Sequence, residues 1–139
     1  MKKTLRTLAV GSIALTCVLT SGAGAQAASG HGKKYHGCTN SISVWRTGGK
    51  VYAQGKMTCS SSHSVLRPDA ALSSYKNGKL QDINIHGEKG CPAAKTCTSK
   101  KISLKAHKGW SYHATNPGTA DADNVWPINT NASAWYKYR

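Results

Sequence analysis

The sequence predicts an all-β chain: an antiparallel β-sandwich, immunoglobulin-like or related, with about seven short strands and two disulfides. Three observations predict it. Short segments alternate apolar and polar residues, turn dipeptides separate them at sandwich-like spacing, and no segment carries a convincing helical period. Cysteine placement supports the same reading, because one predicted hairpin brings two cysteines face to face.

Residues 1–27 read as a secretory signal. Lys2, Lys3 and Arg6 form a charged start, an apolar stretch runs from Leu8 to Leu19, and Ala25-Gln26-Ala27 supplies a small-x-small cleavage site. The apolar stretch is too short to span a bilayer. Thr16 before Cys17, and the apolar residues after it, do not suit a lipidated cysteine. The expected location is secreted and extracellular, with no transmembrane segment. Cys17 leaves with the signal, so four cysteines remain, an even number that reads as two disulfides in a small exported chain. Zinc sites favour close cysteine pairs, which are missing here. No metal and no cofactor are expected.

Residues 28–37 are rich in Gly, His and Lys, lack periodicity and read as a flexible arm. Residues 38–139 read as one domain. Its first strand is expected from Thr39 to Arg46 and its second from Lys50 to Ser60, joined by Gly48-Gly49 as a two-residue turn. That turn sets Thr47 against Lys50, Val44 against Ala53, Ile42 against Gly55 and Cys38 against Cys59. The last is a non-hydrogen-bonded pair, where Cα atoms come closest and a disulfide fits. Ile42, Val44, Val51, Ala53, Met57 and both cysteines then share the buried face. Thr39, Ser41, Ser43, Trp45, Tyr52, Gln54, Lys56 and Thr58 share the other, where packing alone explains a Trp45–Tyr52 pair. Gly55 is the weak point of this assignment, since a bulge there would part the cysteines.

Asn77-Gly78 marks a second hairpin. It sets Leu72 against Ile83 and Ala70 against Ile85 on one face, and Ser73 against Asp82 and Tyr75 against Leu80 on the other. Gly87, Gly90 and Pro92 signal a loop carrying a local Cys91–Cys97 bridge. Lys100 to His107 alternates again, with Ile102, Leu104 and Ala106 inward. Lys108-Gly109 turns the chain into a strand from Trp110 to Ala114. Asn116 to Asn131 is a long polar segment, and a last strand covers Ser133 to Tyr138, with Tyr136 and Tyr138 on one side and Trp135, Lys137 and Arg139 on the other.

Charge is the second strong signal. The whole chain has 19 Lys+Arg against 5 Asp+Glu; without the three signal-peptide bases, 16 remain and the net charge is +11. Such a field draws anions such as teichoic acids, anionic lipid, nucleic acid or acidic polysaccharide. It also serves plain solubility. Lys100, Lys101, Lys105, Trp135, Lys137 and Arg139 form the candidate binding surface, since bases interleaved with aromatics can stack on and neutralise an anionic polymer.

Catalytic patterns are sparse. His86, Glu88 and Lys89 lie close in sequence, and His107 and His113 flank a turn, which is the material of a nuclease-like acid–base pair. No serine lies in an elbow motif, no free thiol remains, and carboxylates are too few for glycoside hydrolysis to look natural. Asp121 and Asp123 read as turn formers. The chain resembles the small, secreted, largely uncharacterised β-rich proteins of actinomycete bacteria. The likeness rests on Ala25-Gln26-Ala27, the Cys38 hairpin through Val51-Tyr52-Ala53-Gln54-Gly55 to Cys59, the Cys91/Cys97 loop and Lys108-Gly109-Trp110-Ser111-Tyr112. The resemblance implies export and a disulfide-stapled sandwich, and transfers no catalytic residue. The expected function is a monomeric, non-enzymatic secreted module that binds an anionic extracellular or cell-envelope partner. The alternatives are a cationic antibacterial protein, a small nuclease-like hydrolase, or an enzyme inhibitor displaying the Cys91–Cys97 loop.

Overall fold

A computed structural model describes residues 27–139. The predicted signal lies outside the described residues except for its last residue, Ala27. The described residues form ten strands: β1 (Ala27–His31), β2 (Cys38–Thr47), β3 (Lys50–Arg67), β4 (Ala71–Lys76), β5 (Lys79–Asn84), β6 (Cys91–Thr98), β7 (Ile102–Lys105), β8 (Ser111–Asn116), β9 (Thr119–Ala120) and β10 (Ala132–Lys137). They make two antiparallel sheets packed as a sandwich. In the first, β1, β2 and β3 are successive neighbours, the far edge of β3 carries β7 and then β6, and β9 pairs with Leu66 and Arg67 on the edge opposite β6. The second has the order β10-β8-β4-β5. Among the described residues no helix is long and apolar enough to cross a membrane.

The first hairpin follows the turn arithmetic residue for residue, from Thr47 against Lys50 to Cys38 against Cys59. Both predicted disulfides, Cys38–Cys59 and Cys91–Cys97, are present. Alternation then sorts the side chains. Ile42, Val44, Val51 and Ala53 enter the main core with Leu72, Ile102, Leu104, Tyr112 and Tyr136. Met57 and the Cys38–Cys59 bridge form a second apolar cluster with Leu66, Ala120 and Trp126. Gly55 sits in an unbroken ladder rather than a bulge. A Cβ there would strike the carbonyl of Asp69 and the side chain of Asn116, so glycine serves close approach of the two sheets.

The strand count rises from seven to ten because pairing supplies order where periodicity does not. Residues 28–37, read as a flexible arm, contribute most of β1, which pairs with β2 over Ala27–His31. Gly30 in this strand and Gly32 just after it leave no room for a side chain: a Cβ on either would collide with the backbone of Ser133 or Thr130. The second strand continues past Ser60 to Arg67, with an irregularity between Thr58 and His63 opposite β6. The disulfide loop read at Cys91–Cys97 is itself strand β6. In the Asn77-Gly78 hairpin, Tyr75 meets Leu80 as expected, but a bulge shifts everything beyond it. Leu72 therefore faces Asn84, Ser73 faces Ile83, and Ile83 and Ile85 stay exposed. β5 is a sheet edge with a neighbour on one side only, where an extra residue disturbs one ladder instead of two.

The core holds many alanines, and buried amides tie the sheets together. Asn116 in β8 is fully buried and uses all of its near hydrogen-bonding capacity. Its Nδ2 donates to the carbonyls of Ser41 (2.9 Å) and Lys56 (3.2 Å), and its Oδ1 accepts from the N–H groups of Asp69 (2.9 Å) and Gly118 (3.0 Å). Asn40 in β2 similarly donates to the carbonyl of Gly118 at 2.8 Å. Asn116→Ala removes four hydrogen bonds to backbone groups at the junction of the two sheets, so it should reduce stability by on the order of 3 kcal/mol. Urea unfolding checks this, and a change below about 1 kcal/mol would mean that water replaces the amide.

Candidate functional site

Two features stand out, a basic face and a carboxylate–imidazole–sulfur cluster. The basic face is the outer side of the first sheet. Strand alternation sends Ser41, Ser43, Trp45 and Thr47 of β2 outward, with Lys50, Tyr52, Gln54 and Lys56 of β3 and Ser103 and Lys105 of β7. One row across the sheet reads Ala27, Trp45, Tyr52, Ser103, and the next reads Thr47, Lys50, Lys105. The Trp45 and Tyr52 rings stack with centroids 5.8 Å apart, and the Lys101 ammonium lies 5.4 Å from the Tyr52 centroid. Lys50 and Lys105 are direct cross-strand partners, a like-charge pairing that destabilises a sheet. They border a shallow cleft of about 620 Å³ beside Tyr52 and the Gly48-Gly49 turn.

No carboxylate belongs to this face. The five acids are Asp69, Asp82, Glu88, Asp121 and Asp123, and none lies in β1, β2, β3 or β7. Among the described residues the carboxylate ion pairs are those of His36 with Asp123 (3.9 Å) and His63 with Asp121 (2.7 Å), so they do not engage these lysines.

The six residues predicted as a binding surface do not gather in one place. Lys101 precedes β7 and Lys105 ends it on the first sheet, and the N–H of Lys100 just upstream bonds the Gly87 carbonyl at 2.9 Å. Trp135 and Lys137 point outward from β10, on the opposite face of the sandwich. They line a depression of about 400 Å³ with Arg139, Ala27 and Ala28. Trp135 is 57% exposed, stacks on His113 at 4.3 Å and lies 5.4 Å from Tyr75. Burial pushes the pKa of His113 below its ordinary 6.5, which favours the neutral ring on Trp135 at pH 7. His107 stacks instead on Trp110 at 4.2 Å, and His86 is exposed after β5. The histidines considered for catalysis thus have separate settings.

Sequence reasoning missed the cluster around His63. This residue follows the irregularity in the β3–β6 pairing, and its Nε2 stands 3.3 Å from the Cys38 sulfur. The short strand β9 pairs with Leu66 and Arg67, delivering Asp121 to the same spot. The His63 Nδ1–H donates to Asp121 Oδ2 at 2.7 Å. The other oxygen, Oδ1, accepts the backbone N–H of Ser64 at 2.8 Å and its hydroxyl at 2.9 Å. Asp121 adopts the left-handed backbone region, with φ at 56°. It is therefore a fixed clamp as well as a turn former. Cys38, Cys59 and His63 place two sulfurs and a nitrogen within 4.8 Å of one another, but the sulfurs are joined and offer no thiolates to a metal. No local spacing links His63 to Asp121, which lies 58 residues further along the chain.

No protein-family model, curated protein or solved structure matches the chain significantly. The geometry alone carries the functional reading.

Hydrogen bonds from His63, and then from Ser64, hold the Asp121 carboxyl near a pKa of about 2, below its ordinary 3.8. The sign follows from linkage. The contribution of this carboxylate to stability is fully present above the ordinary value and is lost as pH falls through the folded value, between about 4 and 2. A carbon-detected NMR titration should find the Asp121 midpoint at about 2. His63→Gln should move it back toward 3.8, and an unmoved midpoint would mean that Ser64 alone holds the charge.

Proposed function

We propose that this protein is a secreted, non-enzymatic module that binds an anionic cell-envelope glycan, one bearing phosphate or carboxylate along its chain, on the outer face of the first sheet. The observation that carries the reading is the Lys50–Lys105 pair. Two ammonium groups set directly opposite each other, with no carboxylate on the face, store repulsion that an anion relieves. The flanking chemistry suits a sugar polymer. Trp45 and Tyr52 present half-buried rings, Thr47 and Ser103 bring hydroxyls, and Lys56 and Lys101 extend the positive field along the strands. The surface is open and shallow, as a polymer that runs past the protein requires, and unlike the enclosed site of a small ligand.

Two disulfides agree with an oxidising destination. The signal-like leader and the resemblance to small exported actinomycete proteins point the same way. The bridged β6 segment remains the structural basis for the inhibitor alternative, but its Cys91–Cys97 loop is paired along β3 rather than displayed free.

Binding to purified wall teichoic acid and to heparin should weaken as salt rises, because the contacts are exposed and screened. Lys50→Gln with Lys105→Gln should weaken binding about tenfold or more and flatten the salt dependence by roughly two contacts, by analogy with ammonium–phosphate pairing. Lys137→Gln, on the opposite face, should change neither. Equal losses from both faces, or no retention at low salt, would remove the proposal. Tighter binding to a single-stranded oligonucleotide of equal charge would overturn the glycan assignment.

A further inference from the structure

We propose that the Cys38–Cys59 disulfide is a thiol-exchange site, in which Cys59 is attacked by a low-molecular-weight or protein thiol and Cys38 leaves as a thiolate held by His63. This site lies apart from the basic face and does not depend on the glycan reading.

Three observations assign the direction. The imidazole Nε2 faces the sulfur of Cys38 at 3.3 Å. Asp121 fixes the far nitrogen at 2.7 Å and is itself fixed by Ser64, so the ring is positioned and its positive form has a counter-charge. Cys38 is fully buried, whereas Cys59 retains 8% exposure and is the partner nearer to solvent. An incoming thiolate therefore meets the Cys59 sulfur, and the sulfur with the imidazole behind it departs. Departing sulfur leaves faster as its thiol becomes more acidic, and a neighbouring imidazolium is a recognised means of lowering a cysteine pKa. Burial alone would act in the opposite direction by penalising the thiolate, so His63 decides whether this bridge is inert or exchangeable.

The electrons balance without a further oxidant. The thiolate R–S⁻ forms a bond to Cys59 Sγ, the Cys59–Cys38 bond breaks, and its electron pair stays on Cys38 Sγ. The imidazolium of His63, formed by uptake of a solvent proton, donates Nε2–H to that sulfur. A second equivalent of thiol then releases Cys59 and carries away R–S–S–R. The Cys91–Cys97 bridge has no imidazole among its hydrogen-bond partners and serves as an internal control.

The test uses the folded, oxidised mature protein and a small monothiol such as glutathione, with timed acid quench, differential alkylation and peptide mapping of all four cysteines. Within the Cys38–Cys59 bridge the first mixed disulfide should form on Cys59. His63→Gln should slow reduction of Cys38–Cys59 by about tenfold or more while leaving the Cys91–Cys97 rate unchanged. Asp121→Asn should slow it less, by misplacing the ring. A circular-dichroism spectrum and unfolding midpoint for each variant separate exchange from loss of fold, and His63→Asn provides a second neutral replacement. Adduct on Cys38, a rate in both neutral variants equal to or faster than wild type, or equal slowing of both bridges would each overturn the proposal.

Discussion

The register between β2 and β3 is the constraint on which the rest depends. Side chains in a strand alternate, so a slip of one residue would exchange the two faces entirely. With Thr47 against Lys50 and Cys38 against Cys59, apolar residues go to the core and lysines, hydroxyls and aromatic rings go to solvent. The disulfide closes this ladder at the end away from the turn, so that both ends are fixed: one by two glycines and the other by a covalent bond. Everything else attached to β3 inherits that register. β7 places Lys105 beside Lys50, β6 crosses at the irregularity, and β9 brings Asp121 to His63.

Such dependence on a single long strand is consistent with a core short of large side chains. Six of the buried core residues are alanines, at positions 53, 70, 114, 120, 132 and 134. Small residues let the sheets approach closely, and close approach brings backbone groups into the interior that need partners. Asn116 and Asn40 meet that need by side-chain hydrogen bonds that span the two sheets and the loop between β8 and β9. Gly55 and Asn116 are therefore parts of one solution: the glycine opens the space that the amide fills.

What could be read from the sequence follows the same physics. The first hairpin was legible because its turn dipeptide, its alternation and its cysteines all specify one pairing. β7 was legible through Ile102 and Leu104, and β10 through Tyr136 facing inward while Trp135 and Lys137 face outward. The hairpin at Asn77-Gly78 was legible but the register of β5 beyond Leu80 was not, because an edge strand tolerates the extra residue that shifts the pairing and leaves Ile83 exposed. β1 was not, because its order comes from backbone contact at Gly30 and Gly32, which leaves no apolar pattern. The candidate face was half legible. Lys101 and Lys105 were found, but Lys50 becomes their companion only through a β3–β7 pairing that no local signal announces. His63 and Asp121 are 58 residues apart and meet through a two-residue strand, below the length at which any period can be seen.

Carboxylate placement links the two sites more closely than their separation suggests. With five acids against a large excess of bases, every carboxylate committed to an internal task is one that cannot neutralise the surface. Asp121 is committed to His63 and Ser64, Asp69 bonds the N–H of Ala70 at 2.7 Å, and Asp82 bonds the N–H of Ile83 at 2.8 Å. Asp123 stands near His36, while its backbone carbonyl accepts from Arg67 at 3.1 Å. These four aspartates thus work within short range at turns and strand ends, while the long-range field of the molecule is left to the lysines. Short-range hydrogen bonds survive salt and long-range fields do not. The disulfide cluster should accordingly keep its geometry across ionic strengths at which the basic face loses its hold on an anion.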